Sequence, residues 1–309
     1  MPDDTAVTAD TALPVRPEVL LATCAALPGG EEWTGTHLLV PALEAVGLRA
    51  RWVVWDDADV DWSQGVVAVR STWDYETRRE EFLSWAHRLP WLLNSASTFT
   101  WNTDKAYLPL LEQAGAAVVP TLLVSDESAL PAAIAEVSPA EAPRAVVKPR
   151  VGAGGRGVVV FDGLDGGPSG LDEAELGPGP WVVQPLVDSI RTEGETSVFV
   201  LDGEVVSQAR KVPAGDEIRV HQQYGGSTVA AEVTAEAAEV ALAAVAAAES
   251  LLGERLDYAR VDQMRLADGR LAVSELEVTE PSLYLDVLPG NATAFAALVA
   301  RRVADAAQH

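Results

Sequence analysis

Residues 145–162 read AVVKPRVGAGGRGVVVFD, and Gly152, Gly154 and Gly157 form a G-x-G-x-x-G run inside that stretch. The residues immediately after the run decide its meaning. A dinucleotide-binding fold needs the loop to open a helix whose N-terminus holds the pyrophosphate. A Walker A loop needs a Gly-Lys-Ser/Thr ending, which is missing. Here the chain continues Val158-Val159-Val160-Phe161, all strong strand formers. The loop is therefore predicted to join two strands as a flap. Gly152, Gly154, Gly155 and Gly157 leave its backbone N–H groups free to approach a phosphate without side chains in the way. Lys148, at the end of the first strand, would lie beneath the same phosphates. The plainer alternative is a glycine-rich hairpin with a surface lysine.

Net charge sharpens the question of anions. At −24 the chain repels phosphate backbones and anionic membranes, so nucleic acid and membrane partners are not expected. An anionic ligand must be held by a few placed cations. Of the 22 basic residues only Lys105, Lys148 and Lys211 are lysines, which suggests positions where a compact ammonium is wanted rather than a planar fork. Cys24 is the single cysteine and sits in an apolar strand, so it reads as core, and a cytoplasmic protein is the expectation.

Along the chain, 1–17 is polar, acidic and interrupted by proline, and reads as a disordered tail. Strands at 19–25, 50–55 and 65–70, with a helix at 36–46, predict a small α/β domain with a parallel core over 18–116. Helices are expected at 76–89 and 102–115. A central unit with the flap spans 117–187, with a linker at 138–144 and a Gly/Pro-rich excursion at 162–180. A C-terminal unit, 188–309, holds strands at 196–201 and 204–210, a helix from the Thr234 N-cap to Leu252, a hairpin and a last helix from 291.

That hairpin carries the second signal. Asp268-Gly269 between strand-like residues predicts a two-residue turn. Counting back from it, Asp262 faces Glu275 and Arg260 faces Glu277, with Asp262, Glu275 and Glu277 on one face. Opposed carboxylates repel by about 4 kcal/mol at 4 Å and an effective dielectric near 20. A hard divalent cation shared with substrate phosphates would neutralise them. The alternative is an acidic, solvent-facing hairpin.

Together these segments resemble the ATP-grasp superfamily, in the branch around prokaryotic glutathione synthetase. That family carries Glu-Ile-Asn-Val-Thr-Ser-Pro-Thr on its last core strand, where this chain has Glu275-Leu276-Glu277-Val278-Thr279-Glu280-Pro281-Ser282. Glu277 replaces the family's asparagine. The resemblance implies an α/β fold of three parts: a pre-ATP-grasp domain, a flap domain and a C-terminal mixed-sheet domain. It implies ATP and Mg²⁺, two ions, on Asp262, Glu275 and Glu277. Lys105 and Lys148 become phosphate-binding lysines, Gln184-Pro185-Leu186-Val187 the adenine hinge, Glu195 the ribose ligand, and Arg219 the contact to the transferred phosphoryl group. His221 lies in the same loop as Arg219 and is a further candidate near substrate. RSTWDY (70–75) and TWNTDK (100–105) resemble a branch that includes cycloserine-forming ligases. On a predicted strand end, Arg70 and Ser71 are candidates for the substrate carboxylate. Trp73 and Tyr75 serve packing or substrate equally well. The implied activity is ligation of an amino-acid-like small molecule through an acyl phosphate, with Arg219 and Lys148 catalytic and a homodimer the expected assembly. Two rivals stand beside it: a bicarbonate-activating carboxylase and a non-catalytic ATP-binding protein.

Overall fold

Three sheets organise the residues described by the computed structural model, 18–138, 144–162, 176–215 and 217–306. The tail read at 1–17, the middle of the 138–144 linker and the centre of the 162–180 excursion lie outside them.

The first sheet is parallel, β2-β1-β3, from β1 (Glu18–Thr23), β2 (Arg49–Val54) and β3 (Gly65–Ser71). Its central strand is covered on both faces, which is why Val19 to Ala22 is an unbroken apolar run, every residue 0% exposed. Helix α1 (Leu39–Ala45) connects β1 to β2, and α2 (Arg79–Ala86) and α3 (Ala96–Asn102) bring Phe82, Trp85 and Phe99 against Trp55. The helix expected over 102–115 is shorter, and a separate helix, α3, precedes it. After α3 the chain turns at Thr103–Ala106 and restarts as α4 (Tyr107–Gln113). Asp104 causes the break: its carboxylate accepts from Ala106 N at 3.0 Å and takes both Arg150 Nε and Nη2, at 2.8 and 2.6 Å.

The second sheet is antiparallel, β4-β7-β5-β6, built from β4 (Leu122–Val124), β5 (Arg144–Pro149), β6 (Val159–Asp162) and β7 (Trp181–Pro185). Helix α5 (Leu130–Val137) packs Leu130, Ala133 and Ile134 on it. The glycine loop joins β5 to β6, strand to strand, as the valine run requires.

After the one-turn α6 (Ser189–Thr192), the third sheet has the order β10-β9-β8-β11-β12. It comprises β8 (Glu195–Leu201), β9 (Glu204–Val212), β10 (Ser227–Ala231), β11 (Tyr258–Arg265) and β12 (Leu271–Glu277). Helix α7 (Ala235–Leu252) lies close on this sheet because its buried face is mostly alanine. It starts at Thr234, whose hydroxyl accepts from Ala237 N, and stops at the left-handed Gly253. Helix α8 (Gly290–Ala306) fills the seam between the first and third sheets with Phe295, Leu298 and Val299.

The β11–β12 register pairs Asp262 with Glu275 and Arg260 with Glu277, but the two-residue turn is wrong. The reversal spans Ala267-Asp268-Gly269: Gly269 N bonds Leu266 O, Leu266 N bonds Arg270 O, and Gly269 has φ +85°. That is a three-residue turn closed by a left-handed glycine. The register slips by one, and a bulge at Ser274 slips it back before the acidic pairs.

Candidate active site

Asparagine side chains hold the sheets together around one cavity. Asn102 donates to Leu276 O at 2.7 Å and accepts from Val278 N at 3.1 Å, tying α3 to the end of β12. Asn94 donates to both Tyr258 O and Val278 O, at 2.7 and 2.8 Å. Lys105 N bonds Arg150 O at 2.9 Å, which draws the Asp104 turn against the end of β5. The resulting cavity, about 230 Å³, is walled by the flap, the Gln184–Val187 segment, β12 and residues of the first domain.

Most of the expected residues meet there. Lys105, Lys148, Gly152, Gly154, Gly155, Gln184, Leu186, Val187, Glu195, Arg219, Asp262, Glu275 and Glu277 all line it. Gly157 does not. It serves the flap's hinge end instead, with φ +68° and so little room that an added Cβ would lie 2.8 Å from Gly177 backbone. Arg70 and Ser71 are also outside it. Arg70 is 3% exposed, with its guanidinium over the Tyr258 and Phe295 rings, at 4.5 and 4.9 Å, and bonded to the Val69 and Pro281 carbonyls. The strand end that pointed to a ligand group is covered by α8 and the 281–285 segment, so Arg70 cements an interior seam.

Charge in the cavity is almost fully paired. Lys105 Nζ lies 3.1 Å from Glu275 and donates to Gly152 O at 2.8 Å. Burial is the largest influence and works against its charge, but Glu275, with Glu277 and Glu280 adding, holds the ammonium above its usual range. Lys211 pairs with Glu195, directly across β8–β9, and with Asp262 at 2.9 Å. Arg260 grips Asp262 at 2.9 Å and Glu277. Asp262 thus accepts from Ser197, Lys211 and Arg260. Burial opposes its ionisation, yet Arg260 and Lys211 hold it far below the usual carboxylate range. The Arg260–Glu277 pair joins a buried guanidinium to a half-buried carboxylate. Among the described residues no group of three acids, histidines or cysteines is close enough to hold a metal ion by itself.

Two groups stand out. Lys148 has no ion pair or side-chain hydrogen bond among the described residues, and burial, with Lys105 adding, pulls its ammonium below the usual range. Burial lifts the Glu277 carboxyl to about 8 against the pull of Arg260, with Asp262 and Glu275 adding to the rise. A cation arriving there and an anion arriving at Lys148 are both favoured.

The flap is docked. Glu76 accepts from Ala153 N at 2.8 Å and pairs with Arg156, and Gln223 donates to Gly154 O at 3.1 Å. Arg219 is aligned by Glu217 at 2.6 Å and by the Tyr224 ring at 3.7 Å. His221 lines the cavity edge-on to Trp73, and burial, then Lys211 and Arg260, lowers its imidazole to about 4. Sequence reasoning missed Glu31, Trp33, Glu76, Arg156 and Tyr284. Each is contributed by a loop or a single 3-10 turn, too short for periodicity to mark a side chain's direction.

A parallel sheet, a glycine-flap sheet and an antiparallel sheet carrying acids and lysines around one cavity define an ATP-grasp architecture, and the matches to known proteins agree. Residues 110–262 match the ATP-grasp domain of prokaryotic glutathione synthetase, and residues 19–94 match the N-terminal domain of D-cycloserine synthetase DcsG. The chain thus has the ATP-grasp fold and carries an ATP-grasp domain. It is 34% identical over 173 residues to the cycloserine biosynthesis protein DcsG of Streptomyces lavendulae, a match covering 53% of this chain and 58% of that protein. A glutathione synthetase of Thermosynechococcus vestitus is 32% identical over 92 residues, 29% of each chain. These matches thus span less than two thirds of the curated relatives' own length. The crystal structure of D-cycloserine synthetase DcsG superposes with a TM-score of 0.77 at 29% identity, covering 92% of this chain and 99% of that one. The ATP-grasp ligase PsnB with its minimal precursor, at 18% identity and a TM-score of 0.59, shares the fold. No helix among the described residues is long and apolar enough to cross a membrane.

Proposed function

We propose that the chain is an ATP- and magnesium-dependent ligase that activates the carboxylate of a small amino-acid-like substrate as an acyl phosphate for attack by an amine-type nucleophile. The observation that carries this is the cavity's pattern of charge: a half-buried, unpaired Lys148 and a paired Lys105 under a glycine flap, facing Glu275 and Glu277 across the same space.

The residues fit the nucleotide. Gln184 to Val187 offers backbone groups to the purine, while Gly152, Gly154 and Gly155 bring N–H groups toward phosphates. Lys105, Lys148 and Arg219 would hold the triphosphate and stabilise charge on the γ-phosphoryl as it moves to the carboxylate. Glu195 is 8% exposed and spent on Lys211, so a ribose contact from it requires that pair to share its oxygens.

The acids fit magnesium in part. Glu275 and Glu277, two apart on β12, would hold it, since Mg²⁺ takes one or two carboxylates and completes its shell with phosphate and water. Asp262 would join only by releasing Lys211 or Arg260, and serves better as the anion that fixes those two cations. Bound there, the metal supplies Lewis acidity to the phosphates. Trp73 and Tyr75 put aromatic surface on the wall, which would limit the access of water to an acyl phosphate. The paired cavity needs no protein nucleophile. Ring closure within one substrate, as the similarity to cycloserine synthetase suggests, is the preferred form of the reaction, because the substrate would carry its own nucleophile.

ADP release over a panel of amino acids, with hydroxylamine as a trap, tests this. Hydroxamate forming with one acid is the expected result. ADP release that depends on bicarbonate, or nucleotide binding without turnover for any acid, would favour the carboxylase or the non-catalytic rival.

A further inference from the structure

We propose that the end of the cavity walled by Glu31, Glu280, Trp33, Trp73 and Tyr75 is the subsite that binds the ammonium group of an amino-acid substrate. This assignment rests on the ligase reading above and deepens it.

The charge inventory points to this end. Glu275 has Lys105, Glu277 has Arg260, Glu195 has Lys211, and Asp262 has both Lys211 and Arg260. Glu31 and Glu280 also line the cavity, yet neither has an ion pair among the described residues. Glu31 is 1% exposed; its Oε2 accepts from Thr34 Oγ1 at 3.3 Å, while its Oε1 has no hydrogen-bond partner among the described residues. Glu280 meets the Tyr75 hydroxyl. A buried carboxylate oxygen with no proton donor is costly, as Glu31 Oε1 is, and Arg70 and Arg260 offset its charge only from a distance. Glu280 has one donor, Tyr75, and no ion pair, so two acids facing one cavity favour an incoming cation.

Contacts link the segments that carry the two acids. Trp33, two residues after Glu31, packs edge-on to Trp73 at 5.9 Å between ring centroids. Tyr75, two residues after Trp73, bonds Glu280, and Ser282, two residues beyond Glu280, lies beside Glu31. The cation is an organic ammonium rather than a second magnesium, for a chemical reason. An –NH₃⁺ brings three donors to carboxylate oxygens and gains from indole and phenol faces, whereas a hydrated divalent ion gains nothing from aromatic walls. Glu275, Lys105 and the flap stand at the phosphate end, so an ammonium at Glu31 and Glu280 orients the substrate with its carboxylate toward the γ-phosphoryl.

The test is calorimetric titration of the full chain, saturated with Mg²⁺ and AMP-PNP, with the common amino acids and D-serine. Each is set against the des-amino carboxylate of the same skeleton, 3-hydroxypropionate for serine. At least one amino acid is expected to bind at least tenfold more tightly than its des-amino counterpart. Glu280→Gln and Glu31→Gln should each erase most of that preference while AMP-PNP affinity stays within twofold. The Glu280 variant guards against misfolding at the more buried Glu31. Equal binding of the des-amino acids, a preference that survives both substitutions, or a panel in which no amino acid binds overturns the assignment. So does a tenfold change in the magnesium requirement of Glu280→Gln, which would make the cation magnesium. Failure of AMP-PNP itself to bind the unmodified chain would instead sink the ligase reading.

Discussion

Replacing Asp262 with Asn keeps the shape of the side chain and removes the charge on which two buried cations converge. Asp262 accepts from Ser197 at 2.6 Å, from Lys211 at 2.9 Å and from Arg260 at 2.9 Å, and its side chain is 3% exposed. Removing one partner of a buried ion pair costs about 3–5 kcal/mol, because the remaining charge is left uncompensated. Here Lys211 keeps Glu195 and Arg260 keeps Glu277. Glu277, relieved of a like charge, also ionises more readily. The loss should therefore fall near the lower end, about 3 kcal/mol. Urea unfolding followed by tryptophan fluorescence measures it, with an unchanged m-value required for the comparison. A loss below about 1 kcal/mol, within what an exposed pair contributes, would refute the view of Asp262 as a structural anion. An activity loss at full stability would return it to the metal.

The same charges set further outcomes. Between pH 6.5 and 8 the ligand-free chain should lose stability as pH rises. Burial raises the folded-state carboxyls of Glu31 and Glu280 to about 7 and of Glu277 to about 8, above their unfolded values, so the stability they give is complete in acid and lost as pH climbs through those values. Each contributes up to about 1.4 kcal/mol per pH unit, Glu277→Gln should flatten the upper end, and stability that rises across this window would contradict the assignment. The window starts above the range in which His221, lowered to about 4, opposes the trend. Lys148→Met should weaken AMP-PNP binding at least tenfold, about 1.4 kcal/mol, without lowering ligand-free stability, since it removes a half-buried, unpaired cation; calorimetry and urea unfolding read both. Glu76→Gln should loosen the docked flap, seen as faster proteolysis between Gly152 and Gly157 in the absence of nucleotide, and protection equal to the unmodified chain would argue against the latch.

The parts of this molecule that were legible in its sequence are those in which one local rule dominates. Four β-formers after a glycine loop could only be a strand, and that made the loop a flap. The strand–helix–strand order pointed to a parallel first sheet, and the apolar run at Val19 to Ala22 is its central strand, buried on both faces. The acidic pairs were placed correctly through two cancelling errors: a turn one residue longer than Asp-Gly suggested, and a bulge at Ser274. The bulge sits in a strand of ordinary composition and leaves no local trace. The break at Asp104 was hidden because its cause is Arg150, 46 residues away. Arg70 misled because a strand end is open or covered according to what packs on it, and here α8, from the far end of the chain, covers it. Glu31 and Tyr75 show the same limit: their loops acquire direction only when three sheets close around them.

Transfer of oxygen from carboxylate to phosphate tests the central claim most directly. With the substrate acid labelled with ¹⁸O in its carboxylate, attack on the γ-phosphoryl leaves one of those oxygens bridging carbon and phosphorus until the nucleophile displaces phosphate. Mass spectrometry of the released phosphate should then find a single ¹⁸O atom per turnover. Phosphate carrying only solvent or nucleotide oxygen would contradict an acyl phosphate, and with it the proposed work of Lys148, Arg219 and the β12 acids.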